Sequence, residues 1–170
     1  DYEFSVENAT SGTIEIVDDD GEGDYGVSFW VKGEYVDEDE NGIWDVCDDT
    51  NITITQHPEV NTEFDEEGKN NTLGEFYYEV NDWYDGCEAD EENKNTDAGR
   101  GYVKIGRACL GCYSGTLEFE SNATVSVTYD DPILEQLGAG LLALVGGTLG
   151  GSTCCCCGGF IAIIGLIMGL

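Results

Sequence analysis

The sequence predicts a mainly β head over residues 1–131 and an apolar, Gly- and Cys-rich helical tail over residues 132–170. The head is expected to be an antiparallel β-sandwich of immunoglobulin-like or jelly-roll kind. Three observations carry this. Short runs rich in Val, Ile, Thr and aromatic residues recur between Tyr2 and Tyr129, punctuated by Gly, Asn and Asp, as strands joined by turns should be. No stretch of the head spaces its apolar residues at a helical period. After Glu135, the remaining 35 residues contain no charged side chain.

Taken in order, Tyr2–Val6 alternates and reads as a strand, and Thr13–Val17 reads as a second after a Ser11-Gly12 turn. Tyr25–Val36 is the longest strand signal, with Val27, Phe29 and Val31 on one face and Trp30 on the other. Asp37–Asp49 is an acidic loop. Asn51–Gln56 alternates again, and Leu73–Val80 is aromatic and β-prone. Asp85–Gly99 reads as a long polar loop. Tyr102–Cys109, Gly115–Glu120 and Ala123–Tyr129 complete the head, the last two joined by a turn at Ser121-Asn122.

Pro132 opens the tail, a position where a helix tolerates proline. As one straight helix the 35 uncharged residues would reach about 52 Å at ~1.5 Å per residue, against about 30 Å for a bilayer core. Small residues mark its faces. Ala139, Ala143, Gly147 and Gly151 recur every fourth position, Gly158 and Ala162 belong to a neighbouring row, and Gly165 and Gly169 add another pair. Such faces let helix backbones approach closely, so the tail is expected to associate with copies of itself. Three geometries fit: a hairpin turning at Gly151-Ser152-Thr153, a single span after an interfacial segment, or one continuous helix in a filament core. The successive Cys154–Cys157 point around a helix and suit small, apolar packing, with lipidation or thiols between subunits as alternatives.

Thirty-five of the 36 acidic residues and all six basic ones lie in residues 1–131, a net charge of −29. That surface excludes nucleic acid as a partner and disfavours anionic headgroups. It suits multivalent cations, or a salt-rich medium that screens self-repulsion. The first residue is Asp1 rather than Met, which fits a processed chain that has lost a secretory signal. Four cysteines in the head, Cys47, Cys87, Cys109 and Cys112, fit two disulfides in an exported domain. Of the three pairings, Cys47–Cys87 with Cys109–Cys112 is preferred. The Cys109-Leu-Gly-Cys112 spacing also matches a thioredoxin-type redox pair and half of a zinc site. Asn-x-Thr sequons at Asn8, Asn51, Asn70 and Asn122 point to a glycosylated outer surface.

The sharpest chemical motif is Asp37-Glu-Asp39-Glu-Asn41-Gly42-Ile43-Trp44-Asp45-Val-Cys47-Asp48. Calcium takes six to eight oxygens, supplied from alternating positions around a tight Gly turn. Side-chain oxygens of Asp37, Asp39, Asn41, Asp45 and Asp48, with the main-chain carbonyl of Ile43, fall at such positions. The string resembles a calcium repeat of the thrombospondin type 3 family and the EF-hand-like loop of dockerins, over these dozen residues. It is a single copy, with Asn41 for an acid and a bulky Trp44, so the family's wound architecture does not carry over. The resemblance implies calcium as the cofactor. Asp18, Asp20 and Asp24, around Gly21 and Gly23, form a second, shorter candidate.

Catalysis finds little support. His57 is the only histidine and precedes Pro58, and Ser114 in Gly111-Cys-Tyr-Ser114-Gly115 is not a GxSxG nucleophile. The whole plan resembles small uncharacterised membrane-anchored surface proteins of marine or halophilic archaea. The sequence therefore leads to the expectation of an exported structural protein, not an enzyme. Its acidic head faces outward from the membrane or assembly surface, and its tail binds itself or lipid. Alternatives are a filament subunit with the tails as core, and an accessory or ligand-binding sensor subunit of a larger membrane complex.

Overall fold

A computed structural model describes residues 3–64, 74–81, 83–84 and 86–130. The tail expected over 132–170, with its small-residue faces from Ala139 to Gly169, and the Asn70 sequon lie outside the described residues. The described residues fall in one compact unit, Asp1–Asp131. Among them no helix is long and apolar enough to cross a membrane.

The head is mainly antiparallel β, with strands β1 (Phe4–Ile16), β2 (Val27–Lys32), β3 (Ile52–Gln56), β4 (Tyr77–Tyr78), β5 (Thr96–Asp97), β6 (Tyr102–Ala108) and β7 (Gly115–Tyr129). A single helical turn, α1 (Asp45–Asp48), interrupts them. The strands form one sheet in the order β1-β7-β2-β6-β4, with β3 also on β7 and β5 also on β6.

Two expected turns are absent. Ser11-Gly12 does not break the chain, because both residues sit inside β1, where Gly12 pairs with Phe119. A Cβ on Gly12 would lie 2.8 Å from the Phe119 ring, so the glycine here makes room for an aromatic neighbour across the ladder. Ser121-Asn122 likewise lies within β7. The β1–β7 register slips there: Ala9 and Ser11 are two residues apart, while their partners Val125 and Glu120 are five apart. Ser121-Asn122 thus fall in a bulge of β7, which bends a strand without ending it, while Ser11-Gly12 pair in register beside it.

That bend builds the core. Phe29 pairs with Val127, eight residues along β7 from Phe119, a distance of about 26 Å on a straight strand. Yet the Phe29 and Phe119 rings meet edge to face with centroids 5.2 Å apart. The sheet therefore folds over on itself. Val27, Phe29 and Val31 of β2, Val103 and Ile105 of β6, Leu117 and Phe119 of β7, and Ile52 and Ile54 of β3 fill the space between its two halves. The strand signal over Tyr25–Val36 narrows to Val27–Lys32. Gly26 sets the upstream limit, with φ at +80° and Ala108 main chain in the place of a side chain.

The other face of β2 is buried too, by polar groups. Trp30 donates from Nε1 to Thr128 Oγ1 at 3.0 Å, and Ser28 donates to Asp130 Oδ2 at 2.8 Å. Lys104 Nζ lies 2.9 Å from Glu79 Oε1, Arg107 lies 3.5 Å from the same oxygen, and Arg107 Nε is 3.3 Å from Asp130. Desolvation holds the Asp130 carboxyl above the usual carboxylate range, although Arg107 and the Ser28 hydroxyl oppose it. Lys94 and Arg100 are also in ion pairs, with Glu91 and Asp97. Each of these four cations is matched to an acid, while Lys32 lies exposed over the Tyr102 ring.

Removing one partner of a buried pair strands the other charge away from water. Glu79→Gln should accordingly lower stability by about 3–5 kcal/mol. Denaturant titration should show the midpoint falling while the slope is unchanged.

Candidate metal centre

The acidic loop runs from Val36, beyond the end of β2, to α1. It closes on itself where the Asp45 N–H donates to the Val36 carbonyl at 2.9 Å. Inside the loop, backbone amides collect the carboxylates. Asp37 accepts from the N–H groups of Asn41 and Gly42, each at 3.0 Å, and Asp39 accepts from Asn41 at 3.2 Å. Asp45 accepts from the Glu38 amide at 3.2 and 3.3 Å. Gly42, at φ +87°, makes the reversal that lets two amides face Asp37. These are side-chain-to-backbone turns of the kind Asp and Asn favour.

The result is a cluster. One carboxylate oxygen each from Asp37, Asp39 and Asp45 lies within 4.8 Å of the other two. Two oxygens bound to one calcium at about 2.4 Å are at most ~4.8 Å apart, so the spacing fits a shared cation. Asp39 is exposed, while Asp37 and Asp45 are partly covered. A hard oxygen donor set of this kind can in principle hold a hard metal ion.

Asp48 does not belong to that group of three. Its Oδ2 accepts from Asn41 Nδ2 at 2.6 Å, and Asn41 Nδ2 also lies 3.2 Å from Asp39 Oδ2. Asn41 thus tethers Asp48 to the loop, and Asn41 Oδ1 accepts from the Ile43 amide at 2.7 Å. Asp18, Asp20 and Asp24 serve separate turns. They accept from Gly21, Glu22 and Gly26 amides respectively, and buried Asp24 also takes the Tyr129 hydroxyl at 2.6 Å. Their side chains are spent on local backbone rather than gathered around one point.

The loop is anchored by the expected Cys47–Cys87 bridge together with contacts that had no local sign in the sequence. Trp44, which departs from the calcium pattern, is 5% exposed. It packs at 5.4 Å from Tyr35, and its indole donates to the Asn93 carbonyl at 3.0 Å. The segment Cys87–Ala89 clasps the loop by main chain: Trp44 N–H donates to Cys87 and Ala89 N–H donates to Gly42. Cys47 on α1 is disulfide-bonded to Cys87, with Cα atoms 6.4 Å apart. Cys109 pairs with Cys112, and both are fully buried.

The described sequons lie at exposed positions. Asn122 and Asn51 face each other beside the β3–β7 ladder. Asn122 Oδ1 accepts from Asn51 N–H at 2.7 Å and its Nδ2 donates to the Asp49 carbonyl at 3.0 Å. Asn8, at φ +51°, accepts from the Tyr102 hydroxyl at 3.0 Å.

The Cys47–Cys87 bridge spans 40 residues, a closure expected to stabilise by about 4 kcal/mol through loss of unfolded-chain entropy. The double variant Cys47→Ala, Cys87→Ala should unfold at a markedly lower temperature in calorimetry. The Cys109–Cys112 bridge spans 3 residues, and removing it should have the smaller effect.

No protein-family model, curated protein or solved structure matches the chain.

Proposed function

We propose that the protein is an exported, non-catalytic structural protein whose acidic β head is stiffened by calcium and carried on a self-associating apolar tail. The observation that carries the calcium reading is the convergence of Asp37, Asp39 and Asp45 within 4.8 Å. The folded-over sheet is read as a sandwich-type head. The two disulfides suit an oxidising, extracytoplasmic compartment. The sequons suit an outward surface, and the net charge of −30 disfavours any polyanionic partner.

Calcium that binds only the folded head adds RT ln(1 + [L]/Kd), about 2.7 kcal/mol at a hundredfold excess over Kd. For a domain of this size that is a rise in melting temperature of ~10 °C. Melts of the full chain with calcium and with chelator should differ by this order, and Asp39→Ala with Asp45→Ala should abolish the difference. Superimposable melts of the native chain would remove the calcium reading.

The tail is tested separately. Leu at Gly147 and Gly151 puts bulk between helices whose association depends on close approach. The solubilised assembly of that double variant should be smaller than the native one by light scattering, with head folding unchanged. An unaltered assembly would show that the tail only anchors.

A further inference from the structure

Beside the acidic loop lies an open cleft of about 440 Å³, walled by Ile43, Asp48, Tyr78, Glu88 and the Cys47–Cys87 bridge. Its walls are of two kinds. Ile43 and Tyr78 are 41% and 38% exposed, large apolar surfaces left open on a strongly acidic protein. Asp48 and Glu88 are exposed carboxylates, and among the described residues none that lines the cleft is basic. Tyr78 is fixed, since its hydroxyl donates to the Thr50 carbonyl at 2.7 Å and its ring meets Phe76 edge to face at 5.1 Å. The Tyr78 phenol is pushed up, first by burial and then by the charge of Asp48, so the two groups share one electrostatic environment.

We propose that this cleft is a binding site for a Lys or Arg side chain of a partner polypeptide. Charge complementarity selects that occupant: two carboxylates line a space to which no described residue brings a cation. Ile43, the disulfide and the Tyr78 ring offer apolar surface to the methylene stem, as such long side chains require. The ring also accepts a cationic head over its face. Asp48 thereby has a different task from the one its spacing implies. It stands outside the Asp37, Asp39 and Asp45 cluster and lines the cleft, held from the loop side by Asn41, which is hydrogen-bonded to both Asp39 and Asp48. The metal cluster and the cleft are adjacent sites with separate acids.

The test uses isotope-labelled full-length protein at physiological salt, titrated with acetyl-Ala-Arg-Ala-amide and with its Gln counterpart. Saturable amide shifts at Gly42, Gly86 and Glu88 are expected with the Arg peptide and not with the Gln peptide. Asp48→Asn with Glu88→Gln should weaken binding ~tenfold or more. Asp19→Asn with Glu22→Gln, which removes the same charge from the Asp18–Asp24 turn, should not. Asp45→Asn should lose the calcium-dependent melt yet still bind the peptide, which separates this site from the calcium reading. Equal binding of the Gln peptide, unsaturable shifts, or equal weakening by the Asp19 and Glu22 pair would overturn the proposal.

Discussion

Phe119 reaches Phe29 only because β7 bends, and the rest of the head follows from that contact. A strand of this length paired along one straight partner makes a ribbon, and a ribbon buries little. The bulge opposite Ala9–Ser11 turns the Gly115–Glu120 half of β7 back over β2 and β6. β3 is carried with it, since it pairs with that half of β7 alone. Ile52 and Ile54 are thereby brought under the same roof as Val103 and Ile105. Edge-to-face contacts of Phe29 with both Phe119 and Phe76 tie the two halves to the edge of the sheet.

The acidic loop depends on this frame without lying in it. It leaves beyond the end of β2 and returns through α1 to β3, so its two ends are fixed by the two halves of the folded sheet. Between them the loop carries mostly carboxylates, which repel one another. Three devices hold it closed against that repulsion: backbone amides that neutralise the Asp oxygens, the buried Trp44, and the Cys47–Cys87 bridge. Asp39 stays exposed to water while Asp37 and Asp45 are partly covered.

Charge is distributed with the same economy. The basic residues Lys104 and Arg107 are buried with Glu79, and Lys94 and Arg100 are matched to neighbouring acids. A surface built this way leaves uncompensated negative charge wherever acids gather, and screening by salt limits the resulting self-repulsion. The cleft at Asp48 and Glu88 sets an apolar wall beside its acids. A diffuse acidic surface attracts any cation, whereas a carboxylate pair beside an aromatic ring and a disulfide selects one that carries a hydrocarbon stem.

Alternation of apolar and polar residues determined by itself that the head is antiparallel β, because the two-residue period follows from backbone geometry alone. Acids spaced around Gly42 marked the loop for the same reason, since local turn geometry fixes which side chains meet there. The fold alone decided what depends on residues far apart in sequence. Ser11-Gly12 and Ser121-Asn122 carry turn residues, yet each lies inside a strand because it pairs with residues far along the chain, Ser11 with Glu120 and Ser121 with Ile52. Asp45 and Asp48 are one helical turn apart and alike in sequence, but α1 places Asp45 in the cluster with Asp37 and Asp39 and Asp48 by the cleft. The main-chain bonds of Cys87–Ala89 to Trp44 and Gly42 hold the loop there across more than forty residues of chain, a contact that no local pattern encodes.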